Sequence, residues 1–374
     1  MEFLVLLRNL INRFFYKVIL KPIFFQVEPE NMHDSMVAFG RLLGKYQITR
    51  KITGAFFSYS NKSLEQNILG IKFRNPIGLG AGFDKDAVLT DILPHVGFGF
   101  VEVGSITGEP CEGNPRPRLW RLKRSRGLIV NYGLKNEGCA KIAERLKSKK
   151  FFIPIGTSIA KTNSSETVSD ESGISDYVKA FGKFISIGDY FTINISCPNA
   201  FGGQPFTDAM RLDKLLEKVD KVPTKKPVFL KLSPDLSHEQ VDRIIEVSKK
   251  HRVDGFVCTN LTKQRKNKKI IDKIVSKEGG ISGKVVEEQA NDLVSYVYKK
   301  TKGRYVIIGL GGVFSVEDAY RKIKLGASLV QLITGMIFEG PQVISEINLG
   351  LVKLIKEDGF KNISQAIGVE TTEN

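Results

Sequence analysis

The chain has 374 residues, a formal net charge of +16 and 42% hydrophobic residues, values that fit a basic globular protein of one large domain with a small appendage. Its four cysteines form no CxxC pair and do not cluster with histidine, so neither a disulfide framework nor a metal site is expected. No run of 18 apolar residues is present, so no transmembrane helix is expected. The positive charge predicts an anionic partner, which could be lipid, a phosphorylated ligand or nucleic acid.

The N-terminal segment has an unusual pattern. Residues 1–25 are rich in Phe, Leu and Ile, but Arg8, Arg13, Lys17 and Lys21 interrupt them at four- or five-residue spacing. On a helix these cations fall broadly on one side. The pattern is typical of an interfacial amphipathic helix, whose apolar face enters lipid while its cations meet anionic head groups. The alternative is a helix packed on the protein's own body. A signal peptide is disfavoured because no small-residue cleavage site follows.

A second amphipathic helix is predicted over residues 34–47. Its apolar face carries Met36, Val37, Phe39, Leu42, Leu43 and Tyr46. The two helices together predict a lipid-facing extension over residues 1–50, followed by one larger domain over residues 51–374.

From about residue 68, short apolar runs alternate with segments of helical periodicity, which indicates βα units and a parallel sheet. Eight such runs predict an α/β protein with a (β/α)8 TIM barrel. A doubly wound sheet is the alternative, but it seldom needs eight evenly spaced strands. The runs are residues 77–79, 100–103, 155–159, 191–194, 228–231, 255–258, 306–309 and 329–332.

Polar and glycine residues recur where the predicted strands end, which is where barrels carry their sites. The pairs Gly311-Gly312 and Thr334-Gly335 follow the last two strands, and backbone N–H groups there can approach a phosphate. Lys231 ends an otherwise apolar strand, and a buried lysine needs an anionic partner. A flavin, whose ring becomes anionic on reduction, would be such a partner. A lysine that snorkels at a strand edge is the simpler alternative.

The segment Asn194–Asn199 (NISCPN) follows the fourth predicted strand. Its asparagines offer both donors and acceptors, which suit a planar heterocycle with alternating N–H and C=O groups. Cys197 lies between them, and a thiol with a pKa of about 8.5 can take a proton from such a ring. An ordinary strand end with a small buried cysteine is the alternative.

Five ordered motifs resemble those of the FMN-dependent dihydroorotate dehydrogenases. They are GAGFDKD at residues 80–86, GNPRPRL at 113–119, NISCPN at 194–199, GGISG at 279–283 and GLGG at 309–312. The likeness extends from about residue 25 to residue 369. The N-terminal extension and the ending Ala366-Ile367-Gly368 resemble the membrane-associated, quinone-dependent class (class 2). The resemblance implies a (β/α)8 barrel that binds FMN and oxidises (S)-dihydroorotate to orotate, with quinone as acceptor, in de novo pyrimidine (UMP) biosynthesis.

The resemblance also implies roles for single residues. Cys197 stands at the catalytic-base position and would remove the C5 proton while hydride leaves C6 for flavin N5. The quinone class usually has serine there, so the pH profile should differ. His33 and Arg121 match quinone-side positions. The residues implied to hold FMN are Ala81, Gly82, Lys85, Ser105, Ser158, Asn194, Lys231, Thr259, Gly283, Gly312 and Thr334. Those implied to bind substrate are Lys85, Asn131, Tyr132, Gly133, Leu134, Asn194, Asn199 and Asn260.

Four further positions depart from the family pattern. Val130 stands where the family has a substrate-binding asparagine. Asn131 comes one residue late, and on an extended segment a one-residue slip points a side chain the opposite way. Ser158 replaces an FMN-binding asparagine, Leu261 replaces a substrate-contacting threonine, and Ile333 replaces a tyrosine beside the quinone path.

Two alternative functions stay open. Val130 and Leu261 make one side of the predicted pocket less polar, which would suit another dihydropyrimidine, one without the carboxylate. Lys85 argues against this substrate because its charge favours a carboxylate. The other alternative is a catalytically degenerate flavin-binding membrane protein. The retained Cys197, Lys85 and Lys231 argue against it.

The expected partners are dihydroorotate, a membrane quinone and an anionic membrane surface. Nucleic-acid binding is not expected, because the densest basic stretch, residues 263–273, has no interleaved aromatic residues for stacking and is predicted to be a solvated loop. No Arg-rich transit segment precedes the amphipathic stretch. The expected location is therefore the cytoplasmic face of the cell membrane, with the mitochondrial inner membrane as the alternative.

Overall fold

The computed structural model describes residues 2–371, which fold around a closed barrel of eight parallel strands. Each strand pairs with the next along the chain, and the eighth closes on the first with Val330 opposite Ile77. This closure confirms the predicted (β/α)8 barrel and rejects the doubly wound sheet. The strands are β1 (Ile77–Leu79), β2 (Phe100–Ile106), β3 (Ile155–Ile159), β4 (Tyr190–Asn194), β5 (Val228–Leu232), β6 (Gly255–Cys258), β7 (Val306–Leu310) and β8 (Leu329–Leu332).

Strands β1 to β6 are buried at every position. Side chains fill the barrel on one face, and helices cover the other, so the strands read as continuous apolar runs. The covering helices are α5 (Leu93–Val96), α6 (Cys139–Leu146), α7 (Asp170–Lys183), α8 (Ala209–Asp220), α9 (His238–Ser248), α10 (Glu287–Thr301), α11 (Val316–Lys324), α12 (Thr334–Glu339) and α13 (Val343–Glu357). They follow α1 to α4, whose bounds are given below.

The two ends of the barrel are closed differently. An antiparallel hairpin, Gln66–Ile68 with Ile71–Phe73, covers the end where the strands begin, and Phe73 meets Phe100 edge-on at 5.4 Å between ring centroids. A three-stranded antiparallel sheet lies at the opposite end. This cap sheet consists of Leu119–Leu122, Gly127–Val130 and Gly280–Gly283. The cap sheet therefore stands at the strand ends where the site was predicted.

The N-terminal helices form one layer, which we call the hood (residues 2–57). Its helices are α1 (Glu2–Phe15), α2 (Lys21–Phe24), α3 (Pro29–Lys45) and α4 (Gln47–Phe57), with a π-helical turn at Tyr16–Leu20 between the first two. The predicted helix over residues 34–47 coincides with most of α3. Helix α4 was not predicted, and the expected domain boundary at residue 50 falls inside it.

The cations of the first helical stretch share one side, as expected, but that side faces the protein. They are Arg8, Arg13, Lys17 and Lys21. Arg13 pairs with Glu346 at 2.6 Å, and Lys17 pairs with Glu339 at 2.5 Å. Arg8 donates to two backbone carbonyls at the end of α4, and the fourth cation lies over two phenylalanine rings. The prediction that these cations meet anionic head groups is therefore wrong for Arg8, Arg13 and Lys17, which carboxylates and carbonyls of the body already bind, and Lys21 is directed at aromatic rings of the protein.

The opposite side of this stretch is apolar and uncovered. Phe3, Leu4, Ile11 and Phe14 are each 59% to 73% exposed, and α3 and α4 add further exposed apolar side chains. Among residues 2–371, no helix is both long enough and apolar enough to cross a membrane.

Candidate active site

One cavity lies at the C-terminal ends of the barrel strands, between the barrel, the cap sheet and the hood. About 1240 Å³ of space lies between its walls, a figure that includes open solvent at its mouth. The structure brings most of the predicted residues to its wall. Those that line it are His33, Ala81, Gly82, Lys85, Ser105, Tyr132, Gly133, Leu134, Asn194, Cys197, Asn199, Lys231, Thr259, Asn260, Gly283, Gly312 and Thr334.

Three predicted residues lie outside the wall. Ser158 is fully buried behind it, and its hydroxyl lies 2.8 Å from that of Ser105. The amide of Asn131 points away from the cavity and donates to Glu278 at 3.0 Å. Arg121 donates to a carbonyl of the hood and lies over the ring of Phe25 at 4.8 Å from its centroid. We therefore correct Ser158 and Asn131 to supporting positions. The alternation along the strand Gly127–Val130 turns Asn131 outward.

A hydrogen-bonded chain fixes the amides at the centre of the cavity. Asn194 donates to the hydroxyl of Ser105 at 2.9 Å and accepts from Asn260 at 3.2 Å. Asn260 also donates to the carbonyl and hydroxyl of Ser196, each at 3.0 Å. The hydroxyl of Tyr177 holds the carbonyl of Asn194 at 2.8 Å from behind. These bonds set the orientation of both amides before any ligand arrives.

Two buried polar atoms on the cavity wall have no partner. Asn199 donates its amide N–H to the carbonyl of Val130 at 2.8 Å, while its Oδ1 is buried without a hydrogen bond. The hydroxyl oxygen of Tyr132 is likewise buried without a hydrogen bond. Leaving such an atom unsatisfied costs about 1–3 kcal/mol. Within residues 2–371 the two atoms thus keep unused hydrogen-bonding capacity beside the cavity.

Cys197 is half-buried at the end of β4 and lines the cavity. Burial raises the pKa of its thiol, while the backbone N–H of Asn199 and the charges of Lys231 and Lys161 act in the opposite direction. The thiol is thus held protonated at neutral pH, with two cations placed to stabilise its thiolate.

Lys231, on β5, is 3% exposed and reaches the cavity from inside the barrel. Burial lowers its pKa, and the charge of Glu102 counteracts that effect. Glu102 is itself fully buried on β2, where one carboxylate oxygen accepts from Thr192 and Gln331 at 2.9 and 3.1 Å. No carboxylate in residues 2–371 lies within ion-pair distance of Lys231. A buried cation therefore faces the space where a flavin is predicted.

Lys85 occupies the hood side of the same cavity. Its Nζ lies 3.9 Å from the ring centroid of Tyr132 and 3.4 Å from Nε2 of His33. Burial lowers the pKa of Lys85 to about 8, and the neighbouring charge of Lys135 acts in the same direction. The pKa of His33 is also lowered, by burial and by the charge of Lys85. This corner is therefore electropositive and suits an anion.

The glycine ends of β7 and β8 form a cradle. Gly312 has φ +77°, and a Cβ there would overlap Glu287, while a Cβ on Gly335 would overlap a backbone carbonyl. Gly283 of the cap sheet, at φ +96°, completes the cradle. Only glycine fits these positions without displacing neighbouring atoms of the protein.

An apolar wing of the cavity extends towards the hood. Leu119, Leu128, Phe314, Ile333 and Ile337 line it. Their side chains come from the cap sheet and from the ends of β7 and β8. The wing and the polar pocket belong to one cavity, whose wall also includes His33 and Lys85.

A buried ion pair ties the hood to the cavity. Glu30 of α3 is 1% exposed and accepts three hydrogen bonds from Arg118, between 2.8 and 3.1 Å. Burial alone would raise the pKa of Glu30, but the hydrogen bonds and charges of Arg118 and Arg116 hold it below its usual value. Arg118 also donates to the carbonyl of Asn114 at 2.7 Å, and Asn114 donates to the carbonyl of Asn199 at 3.3 Å.

Two supporting residues were not assigned a role from the sequence. Lys161 is 3% exposed and donates to the carbonyl of Phe201 at 2.8 Å, which ties down the loop after Cys197. Asn163 accepts from the N–H of Phe201 at 2.5 Å and donates to Asn114 at 3.0 Å. The sequence could have indicated Lys161, because it comes just after the apolar strand β3, much as Lys231 lies near the end of the apolar strand β5. No sequence pattern indicated Asn163.

Comparisons with known proteins agree with one another. A family model described as dihydroorotate dehydrogenase matches residues 63–355. The chain is 34% identical over 374 residues to "Dihydroorotate dehydrogenase (quinone)" of Trichodesmium erythraeum, covering 95% of this chain and 98% of that protein. A protein of the same name from Natronomonas pharaonis is 37% identical over 354 residues, covering 94% and 98%. The ligand-free DHODH of Eimeria tenella superposes with a TM-score of 0.78 at 30% identity, covering 91% of this chain and 99% of that chain.

Proposed function

The chain belongs to the dihydroorotate dehydrogenase family, and on that premise we propose that it oxidises (S)-dihydroorotate to orotate with a quinone as electron acceptor. This is a step of de novo pyrimidine biosynthesis. The observation that carries the proposal is the single cavity, which joins the polar pocket around Cys197 to the apolar wing under the hood. A charged substrate and an apolar acceptor each meet suitable side chains in it.

We propose FMN as the flavin, and the residues present fit it. The unpaired cation Lys231 would face the ring, and the amides of Asn194 and the hydroxyls of Ser105 and Thr259 would bind the ring's polar edge. The glycine cradle at Gly312 and Gly283, with Thr334, would hold the phosphate. Ala81, Gly82 and Lys85 complete the wall. FMN, when bound, accepts the hydride that leaves C6 of the substrate.

Cys197 would act as the base that takes the C5 proton. Its thiolate is the reactive form, and Lys231 and Lys161 stabilise that form. Asn199 would accept a ring N–H through its free Oδ1, and Asn260 would contribute the second amide. The backbone of residues 132–134 lines the same pocket and would shape it around the ring.

A second candidate substrate, a dihydropyrimidine without a carboxylate, is favoured by one observation: Val130 and Leu261 both line the cavity. The charges oppose it. Lys85 and Lys135 line the same cavity, and neither has a carboxylate within ion-pair distance among residues 2–371. A neutral substrate would leave these cations with only carboxylates beyond ion-pair distance, such as Asp34, to compensate them, whereas the carboxylate of dihydroorotate would bind beside them. Dihydroorotate is therefore the substrate that we propose.

The apolar wing would receive the quinone ring, with His33 at its inner end. Arg121 lies outside the cavity wall, on Phe25 of the hood, so it would act at the entrance. Ile333 makes the wing more apolar than the tyrosine of the family pattern. The exposed apolar side of the hood would rest in the membrane. The protein would then be a peripheral membrane protein, for which we propose the cytoplasmic face of the cell membrane.

Anaerobic addition of dihydroorotate to the FMN-loaded protein tests the proposal. We expect rapid bleaching of the flavin absorbance, followed by reoxidation on addition of a short-chain quinone. Cys197→Ala should bind FMN but bleach far more slowly. Dihydrouracil is the matched control substrate and should bleach slowly or not at all.

Each failure has a distinct meaning. Bleaching by dihydrouracil alone would replace the proposed substrate with the neutral one. Bound FMN without bleaching by either compound would indicate a degenerate flavin-binding protein. Bleaching without reoxidation by quinone would refute the proposed acceptor only.

A further inference from the structure

We propose that a basic loop, residues 263–277, together with the neighbouring turn at residues 123–126, forms a second membrane contact that binds anionic lipid head groups. This inference rests on the proposed membrane location of the hood. It adds that the protein prefers membranes that contain anionic lipid.

The first helical stretch of the hood offers little charge for anionic lipid. Arg13 and Lys17 are paired with Glu346 and Glu339, and Arg8 is bound to carbonyls of the body. Three exposed cations of α3 and α4 have no ion-pair partner among residues 2–371: Arg41, Lys45 and Lys51. Attraction to anionic lipid must therefore come from these cations and from cations outside the hood.

The basic loop has such cations in excess. It contains seven basic side chains and one acidic side chain. Two of the seven are already engaged: Lys269 pairs with Glu287 and Glu288, and Arg265 donates to four backbone carbonyls. The other five are exposed, and within residues 2–371 none lies within ion-pair distance of a carboxylate. They are Lys263, Lys266, Lys268, Lys273 and Lys277.

The same loop also exposes aliphatic side chains. Ile271 is 53% exposed and Val275 is 58% exposed, and Lys273 lies between them in the sequence. Alternating aliphatic and lysine side chains suit a lipid interface, where the aliphatic groups enter the acyl boundary and the ammonium groups meet phosphates. The loop has no aromatic residue on which a nucleic-acid base could stack. Lipid is therefore the partner that this composition favours.

Hydrogen bonds place the loop beside the hood. The carboxylate of Asp272 accepts from the backbone N–H groups of Arg124 and Ser125 at 3.1 and 2.5 Å, and from the hydroxyl of Ser125 at 2.6 Å. In the same turn, Arg126 pairs with Glu339, the carboxylate that also binds Lys17 of the hood. The loop, the turn and the hood thus form one connected surface at the end of the barrel that carries the cavity.

The turn adds two more free cations to this surface. Lys123 and Arg124 are exposed, and no ion pair within the described chain includes either. An apolar hood flanked by a cationic loop would bind with its apolar side in the bilayer and the loop at the head-group level. Near an anionic surface each such cation contributes to binding, and salt screens the contribution.

Vesicle sedimentation with the full-length, FMN-loaded protein tests the inference. The probes are vesicles of phosphatidylcholine alone and of phosphatidylcholine mixed with phosphatidylglycerol. The variant is Lys266→Glu/Lys268→Glu/Lys273→Glu, which changes only exposed side chains. The matched control is Lys214→Glu/Lys218→Glu/Lys225→Glu, which changes the net charge equally at exposed positions on and just after α8. We expect the loop variant to bind anionic vesicles about tenfold to a hundredfold more weakly, with binding to phosphatidylcholine unchanged and bleaching by dihydroorotate unchanged.

Three results would overturn the inference. The loop variant could bind anionic vesicles as tightly as the unmodified protein. The α8 control could lose as much binding, which would assign the effect to net charge. The loop variant could lose binding to single-stranded RNA and keep its vesicle binding, which would make the loop a nucleic-acid surface. If the unmodified protein bound neither vesicle type, the proposed membrane location would fail as well. An Ile11→Ser/Phe14→Ser variant separates the two ideas, because it should lose binding to both vesicle types.

Discussion

The pH dependence of substrate-driven bleaching tests whether Cys197 is the base. Burial raises the pKa of its thiol above the ordinary value of 9.0. The thiol is therefore mostly protonated at neutral pH. Because only the thiolate can accept the C5 proton, we expect the bleaching rate at saturating dihydroorotate to rise about tenfold per pH unit between about pH 6 and 9. Stopped-flow absorbance under anaerobic conditions measures that rate directly.

Lys161 provides a variant that moves this profile without contacting the substrate. Its charge lowers the pKa of Cys197, and it also donates to the carbonyl of Phe201. Lys161→Met should therefore raise the pKa of Cys197, which shifts the profile to higher pH and slows bleaching at pH 7. Lys161→Arg keeps the charge and should restore most of the original profile.

Two further results decide the matter. Cys197→Ser should bleach slowly, and its rate should continue to rise past the pH at which the cysteine protein reaches its plateau, since a hydroxyl is much less acidic than a thiol. A flat profile between pH 6 and 9 in the unmodified protein, or the same midpoint in Lys161→Met, would refute the assignment.

Three shorter predictions follow from the same site. Val130→Asn should lower the KM for dihydroorotate about fivefold to a hundredfold, as one added amide contact would, and an unchanged KM would show that position 130 does not reach the substrate. Lys85 is charged below its pKa of about 8 and neutral above it, so the rise of kcat/KM for dihydroorotate that Cys197 produces should level off above about pH 8, and in Lys85→Met the rise should continue past that pH. Glu30→Gln leaves Arg118 buried without its partner and should cost about 3–5 kcal/mol in urea unfolding. Because the pKa of Glu30 is lowered, its contribution is present above about pH 4.5 and is lost on acidification, so the variant's stability should fall less steeply with acid than that of the unmodified protein.

The barrel could be predicted because its signal is local. Each strand is buried on both faces and therefore reads as an uninterrupted apolar run, and short connections order the strands along the chain. The cap sheet gave no such signal. Its strands Gly127–Val130 and Gly280–Gly283 are separated by about 150 residues and pair only in the folded protein. Helix α4 was missed because its short apolar face directly follows α3.

The partners of the hood's cations could not be predicted from the sequence. Periodicity placed Arg8, Arg13 and Lys17 on one side of a helix, but periodicity identifies a side and not its partner. The partner of Arg13 is Glu346, which lies 333 residues later in the chain. A cation that pairs with a carboxylate of its own protein is no longer free to bind lipid. The same amphipathic pattern therefore describes a helix whose cationic side packs on the protein. The apolar side, which periodicity also identified, is the one that stays uncovered.

The asparagine of this segment stands at position 131, one residue after the position where the family has it. The contacts around it explain how the site can depart from the family pattern and keep its substrate. Asn199 is oriented by the backbone carbonyl of Val130, so its free Oδ1 keeps its place whatever side chain stands at position 130. Asn131 turns outward, where it accepts from Asn114 at 3.0 Å and donates to Glu278. Asn114 in turn holds the carbonyl of Asn199. We therefore expect the replacement to remove one contact to the substrate while Asn131 and Asn114 support Asn199 from behind, so that dihydroorotate binds more weakly but stays the preferred ring.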